Sequence, residues 1–143
     1  MKSSFERLSI SLEGAQAVVS AALAEAEKRG VSVSVAVVDE GGNMRLLARM
    51  DDGAYQNPSV AADKAYTAAG YKRTTKEFYD FVMGDPQLAL GVPLAVPRVT
   101  VFGGGVPLVV AGAVIGAVGV SGSGWQTDEE IAEVGAAALV VDE

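Results

Sequence analysis

The chain has 143 residues, with neither cysteine nor histidine, and its eighteen acidic against eleven basic residues give a formal charge of −7. These values exclude disulfides, thiolate or imidazole nucleophiles and thiolate metal sites, and the negative charge opposes diffuse attraction to nucleic-acid phosphates or an anionic membrane. The length suits one domain, residues 1–143, with one sizeable core, and no apolar run supplies the ~20 uninterrupted residues that a bilayer-spanning helix needs.

The first periodic segment opens at Ser11, a predicted N-cap with Glu13 in the first turn. Leu12, Ala15, Val19, Ala22, Leu23 and Ala26 follow at helical spacing, and Lys28, Arg29 and Gly30 close the helix. The period then changes to two. Val31, Val33, Val35 and Val37 share one side, and Ser32, Ser34, Ala36 and Val38 the other, which predicts a strand with unequal faces. Asp39 to Asn43 is a turn signal, and Met44 to Met50 has the length of a second strand. So short a loop returns the chain antiparallel, which disfavours a parallel doubly wound sheet.

Asn57-Pro58 reads as N-cap and N1 proline of an alanine-rich helix running to about Gly70. Thr74 and Glu77 predict a capping box for a shorter helix that ends by Gly84-Asp85-Pro86. The stretch from Gly84 to Arg98 holds three prolines and is predicted to be a long surface loop. Beyond it, VTVF, VPLVV and AVIGAVGVS are separated by Gly103 to Gly105 and by Ala111-Gly112, which predicts strands three to five. Thr127 and Glu130 predict a capping box for a last helix through Ile131, Val134, Ala138 and Leu139. The predicted order is α-β-β-α-α-β-β-β-α.

The glycine-rich C-terminal third matches no phosphate-binding fingerprint, and Asp128, Glu129 and Glu130 crowd the helix end where a phosphate would sit. Turn formation and close strand packing explain most of its glycines. Gly103, Gly104 and Gly105, beside Phe102, remain a place where bare amides can meet a ligand carboxylate. On the alanine-rich helix, Asp63, Lys64, Tyr66 and Tyr71 are either a solvated face or part of a site. The functional reading gathers Arg49, Lys64 and Arg98 around an anionic ligand, because an acidic protein needs local cations to hold a small acid. Trp125, the single tryptophan, either lines that pocket or staples the entry of the last helix. Asp39 and Glu40 read as turn residues, since neighbouring strand side chains point oppositely. Capping accounts for Asp128 to Glu130, so no metal site is predicted.

The ordered set SLEGAQAVVSAALAEAEKRG, VSVAVVDEGGNMRLLARMDDG, ADKAYTAAGYKRTT and FGGGVPLVVAGAVIGAVGVSGSGWQTDEEIAEVGAAAL resembles the GlcG/HbpS family from end to end. That family includes the C-terminal domain of PduO-type proteins and is often labelled haem-binding or haem-degrading. The resemblance implies an α+β fold, a profilin-like sandwich with a five-stranded antiparallel sheet flanked by helices, and assembly into dimers or larger rings. It also implies haem as a candidate cofactor. A histidine-ligated haem site cannot be carried over to a chain without histidine, which leaves Tyr55, Tyr66, Tyr71, Tyr79 or a methionine to reach the iron.

Two functional readings follow. One is an oligomeric small-molecule-binding protein, its pocket lying between the alanine-rich helix and the Gly103 to Gly105 turn and holding a small anionic or aromatic ligand, with haem as a special case. The alternative is a cofactor-free isomerase, hydratase, decarboxylase or cyclase acting on a small oxygenated acid, with Asp63 as base, Tyr66 as acid and Arg49 as anion holder. A third reading makes the protein a partner that only assembles with copies of itself. No nucleic-acid or membrane partner is expected. The opening MKSSFERLSISLEG lacks a secretory pattern, so the sequence reads as cytoplasmic or already processed, with cytoplasmic the expected location.

Overall fold

The computed structural model describes residues 1–139; the last four residues of the predicted 1–143 domain lie outside the described residues. In chain order the elements are α1 (Leu12–Lys28), β1 (Ser34–Asp39), β2 (Met44–Arg49), α2 (Asn57–Tyr71), α3 (Thr75–Met83), α4 (Pro86–Ala95), β3 (Gly105–Val110), β4 (Ala113–Ser121) and α5 (Trp125–Ala137). The strands form one antiparallel sheet in the order β2-β1-β4-β3.

The α+β class and the antiparallel pairing agree with the sequence, but the predicted five strands and their order do not. Among the described residues there are four strands and five helices, in the order α-β-β-α-α-α-β-β-α. The predicted loop from Gly84 to Arg98 contains α4. Asp85 caps that helix by accepting from the Gln87 and Leu88 amides, and Pro86 occupies a first-turn position where its missing N–H costs nothing. The helix ends at Ala95 because Val96 precedes Pro97 and takes the extended conformation this neighbour imposes. The predicted third strand, Val99 to Phe102, is instead part of an irregular strap over residues 96–104. The Thr100 amide donates to the side chain of Thr67 on α2 at 2.9 Å, so it does not enter a strand ladder.

Local chemistry sets the other boundaries. Ser11 caps α1 by accepting from the Gly14 amide at 3.0 Å, and Thr74 with Glu77 forms the predicted capping box of α3. The Thr127–Glu130 box does not form. The last helix starts earlier, with Gly124 in the N-cap position and no side-chain cap, and Thr127 lies inside its first turn.

The sheet separates two unequal layers. Val33, Val35, Val37, Val118 and Val120 meet Ala15, Val18, Val19 and Ala22 of α1 and Ile131 of α5 in the main core. On the opposite face, Ala36, Val38 and Ala117 meet Ala61, Ala62, Ala65, Ala68 and Ala69 of α2. This second seam is nearly free of side chains. A Cβ added at Gly119 would stand 2.0 Å from the Ala61 carbonyl oxygen, and one at Gly105 would stand 2.4 Å from the Lys64 carbonyl oxygen. Helix α2 therefore rests directly on the backbone of β3 and β4, which fixes where its polar residues emerge. Helix α4 packs on α3, and none of its residues is buried.

Candidate functional site

The close seam carries Lys64 into the interior, 1% exposed, where its ammonium donates to the Val120 carbonyl at 2.8 Å and to Asp128 Oδ2 at 3.1 Å. Asp128, on α5, also accepts from the Ser123 amide at 2.8 Å and the Gly122 amide at 3.4 Å. Burial pushes the Lys64 pKa down and the Asp128 pKa up, and each partner's opposite charge counters the shift of the other. The Phe102 ring lies 4.8 Å from the Lys64 ammonium, a cation–π contact from the strap side. Gly104 adopts φ +127°, a conformation that L side chains rarely take, and a Cβ there would lie 2.6 Å from Lys64 Nζ. The Trp125 indole closes over Gly103, where a Cβ would lie 2.5 Å from the ring.

Lys64, Phe102, Gly103, Gly104, Gly105 and Trp125 are thus brought together. Outside this group opens a cleft of about 280 Å³, walled by Lys76 and Tyr79 of α3, Val101, Phe102 and Gly103 of the strap, and Trp125 of α5. Tyr79, Phe102 and Trp125 are 42%, 46% and 38% exposed, so the slot faces solvent along its rim. The Lys76 ammonium is paired with Asp80, a hydrogen bond that raises its pKa and keeps it charged. Three aromatic rings and one ammonium around an open slot are chemistry for a flat ligand bearing a negative group.

The other predicted residues lie elsewhere. Arg98 Nε donates to Asp63 Oδ1 at 2.9 Å, and its guanidinium lies 4.1 Å from the centre of the Tyr66 ring. This arginine is held at φ +66°, an uncommon left-handed conformation for a side-chain-bearing residue. Beside it is a second cavity of about 250 Å³, lined by residues that include Glu40, Gly42, Tyr66, Thr67, Tyr71 and Val99. Arg49 joins neither group. Its guanidinium donates to the Gly53 and Asp51 carbonyls and lies 5.1 Å from the Tyr55 ring. Arg49, Lys64 and Arg98 therefore have separate partners, and Asp63, Tyr66 and Arg49 do not converge on one point. Lys76 carries no expectation from the sequence, Tyr79 enters there only as one of four tyrosines able to reach an iron, and Glu40 only as a turn residue. The structure sets Lys76 and Tyr79 on the slot and Glu40 on the second cavity. The first two stand three residues apart just after a capping box, which places them on neighbouring positions of one helix face.

The profile of the family described as "Haem degrading protein HbpS-like" matches residues 10–137. The chain belongs to the HbpS-like family. Among its HbpS-like relatives, Protein GlcG of Escherichia coli (strain K12) is 42% identical over 112 residues, covering 78% of this chain and 81% of that protein. The crystal structure of Klebsiella pneumoniae protein ORFY superposes with a TM-score of 0.91 at 34% identity, over 96% of this chain and 95% of that one. A crystal structure of a PduOC–haem complex superposes with a TM-score of 0.84 at 32% identity, over 94% and 98% of the two chains. The resemblance read from the ordered sequence segments is thereby confirmed. Among the described residues, no helix of this HbpS-like chain is long and apolar enough to cross a membrane.

Proposed function

We propose that the protein binds a planar aromatic anion in the cleft between α3, the strap and the start of α5. The observation that carries this reading is the convergence of Tyr79, Phe102 and Trp125 with the Lys76 ammonium around one slot. The rings supply apolar faces that stack on a flat ligand, and the Lys76 ammonium, which gives one N–H to Asp80, keeps further N–H donors for the ligand's carboxylate. The buried Lys64–Asp128 pair supports the wall from behind, because Phe102 rests on the Lys64 ammonium.

Haem is the special case that the PduOC–haem complex makes relevant. In the slot, Phe102 and Trp125 would flank its ring, Lys76 would meet one of its two propionates, and Tyr79 is the phenol that would hold the iron. Bound haem would supply a redox-active iron. Tyr66 and Tyr71 line the other cavity and Tyr55 stacks under Arg49, so none of these three belongs to the slot. The apolar side chains left exposed on α3 and α4, Phe81, Met83, Leu90 and Leu94, favour self-association through that face.

Because Trp125 is the only tryptophan, its fluorescence reports on the slot directly. Titration with hemin, and with 2-naphthoate as a metal-free planar anion, is expected to quench it saturably at one ligand per chain. Phe102→Ala should weaken both ligands by about threefold to tenfold, the worth of one aromatic contact. Tyr79→Phe should change the hemin absorption band without weakening 2-naphthoate. Absence of saturable quenching by both ligands would sink the proposal.

A further inference from the structure

The second cavity contains something the aromatic slot lacks, an acid with an unused oxygen. Two neighbouring carboxylates at the β1–β2 turn have divided the work. Asp39 Oδ1 accepts from the Gly41 amide at 3.0 Å, the Asn43 amide at 2.9 Å and the Asn43 side chain at 3.1 Å, so this residue builds the turn. Glu40 supplies backbone to this turn, which the Gly42 amide closes on the Asp39 carbonyl at 3.0 Å, but its carboxylate takes no part. Its Oε2 is buried and has no hydrogen-bond partner, and among the described residues no lysine or arginine nitrogen comes within 4 Å of its carboxylate. Oε2 is covered and the residue as a whole is half-buried at the cavity wall, and since no donor of the described residues reaches this carboxylate, it is left open to a donor from outside the chain.

The surroundings specify that partner's chemistry. Glu40 shares the cavity of about 250 Å³ with Tyr66, Thr67 and Tyr71, and the strap closes one side with Val96 and Val99. Tyr71 is held by stacking on Phe78, ring centres 4.1 Å apart. Arg98 shows that the Tyr66 ring already accepts a cation, and the charge of that arginine is offset by Asp63. An anion would meet the Glu40 carboxylate and be repelled. A bare metal ion would find one carboxylate, and no group of three or more Asp, Glu, His or Cys side chains poised for a metal occurs among the described residues. A donor carried on an apolar body satisfies both the acid and the walls.

We propose that this cavity is a second ligand site, taking a small organic ammonium whose N–H groups donate to Glu40 while its apolar part packs against Tyr71, Val96 and Val99. The site is separate from the aromatic slot and opposite to it in the charge it selects.

The test is isothermal titration of the full chain with benzylammonium, and with benzyl alcohol as its neutral counterpart. Benzylammonium should bind saturably at one per chain, and benzyl alcohol about tenfold more weakly or worse. Glu40→Gln should weaken the ammonium by a similar factor. Gly70→Leu gives a second route. Gly70 lines the cavity from α2, a Cβ built there meets nothing within 4 Å, and a leucine replaces a helix-weakening glycine, so the variant fills the mouth without threatening the fold. It should lower affinity about tenfold or more at an unchanged or higher Tm. The proposal is overturned if benzylammonium shows no saturable binding, if benzyl alcohol binds equally well, or if folded Gly70→Leu keeps full affinity. It is also overturned if the ammonium quenches Trp125 and leaves the Tyr66 and Tyr71 ring resonances unmoved.

Discussion

Replacing Asp128 by Ala leaves the Lys64 ammonium in the interior with one hydrogen-bond acceptor, the Val120 carbonyl at 2.8 Å, beside the Phe102 ring, and it also removes the acceptor of the Ser123 amide at 2.8 Å. Removing one partner of a buried pair costs about 3–5 kcal/mol, and the orphaned amide moves this case to the upper end. Lys64→Met is milder, because the carboxyl it leaves behind keeps the Ser123 amide and can be neutralised by a proton. The Asp128 pKa is already raised by burial, and loss of the countering Lys64 charge raises it further. A carboxyl whose folded pKa exceeds its unfolded value binds more protons when folded, so its penalty is full above the folded pKa and absent below the unfolded one. The deficit of Lys64→Met, about 3 kcal/mol at pH 7, therefore shrinks as the pH falls towards about 4. At about 4 °C per kcal/mol for a chain of this size, Asp128→Ala lowers Tm by roughly 15–20 °C and Lys64→Met by roughly 12 °C. The double variant Lys64→Met/Asp128→Ala, with no buried charge, should recover at least about 2 kcal/mol relative to additivity. Calorimetry and urea unfolding of the four proteins measure this cycle. An additive double variant, or Lys64→Met costing more than Asp128→Ala, would refute the reasoning.

Two further outcomes are expected. Gly119→Ala places a methyl group 2.0 Å from the Ala61 carbonyl oxygen, a backbone atom with no rotamer to escape into, and should lower stability by at least about 1–3 kcal/mol as read from the urea midpoint. Glu129 has its pKa raised first by burial and then by repulsion from Glu133, so the penalty on its charged form is present above the raised pKa and vanishes below the ordinary carboxylate range. Glu129→Gln should accordingly raise Tm slightly at pH 7 and leave it unchanged near pH 3.5, with an equal effect at both pH values counting against this account.

Much of the architecture was legible because local and tertiary forces agree. The change from helical period in α1 to period two in β1, the Asp39 to Asn43 turn and the Thr74–Glu77 box each survive folding. Disagreement arose where one contact from far along the chain outweighed a local preference. Thr127 and Glu130 carry capping-box chemistry, yet the helix starts at Trp125, and Asp128 is drawn back to the Ser123 amide and to Lys64. Val99 to Phe102 has strand composition, but its hydrogen bonding goes to Thr67. For α4, the count of prolines outweighed the Asp85 cap that makes Pro86 harmless. The glycine run beside Phe102 marked the place where Lys64 and Trp125 meet, because only residues without side chains allow that approach. No local rule tells that Arg49 keeps to its own loop carbonyls, or which of Asp39 and Glu40 builds the turn.

Thr100 sits between the two compartments, with Val99 walling one and Val101 the other. Its buried amide is nailed to the Thr67 hydroxyl, which in turn donates to the Asp63 carbonyl at 2.8 Å on the helix resting against the sheet backbone. A segment fastened at its midpoint to an immovable support does not act as a seesaw. Ligands filling both compartments are therefore expected to titrate independently, each answering to its own concentration, with a mutual interaction energy near zero.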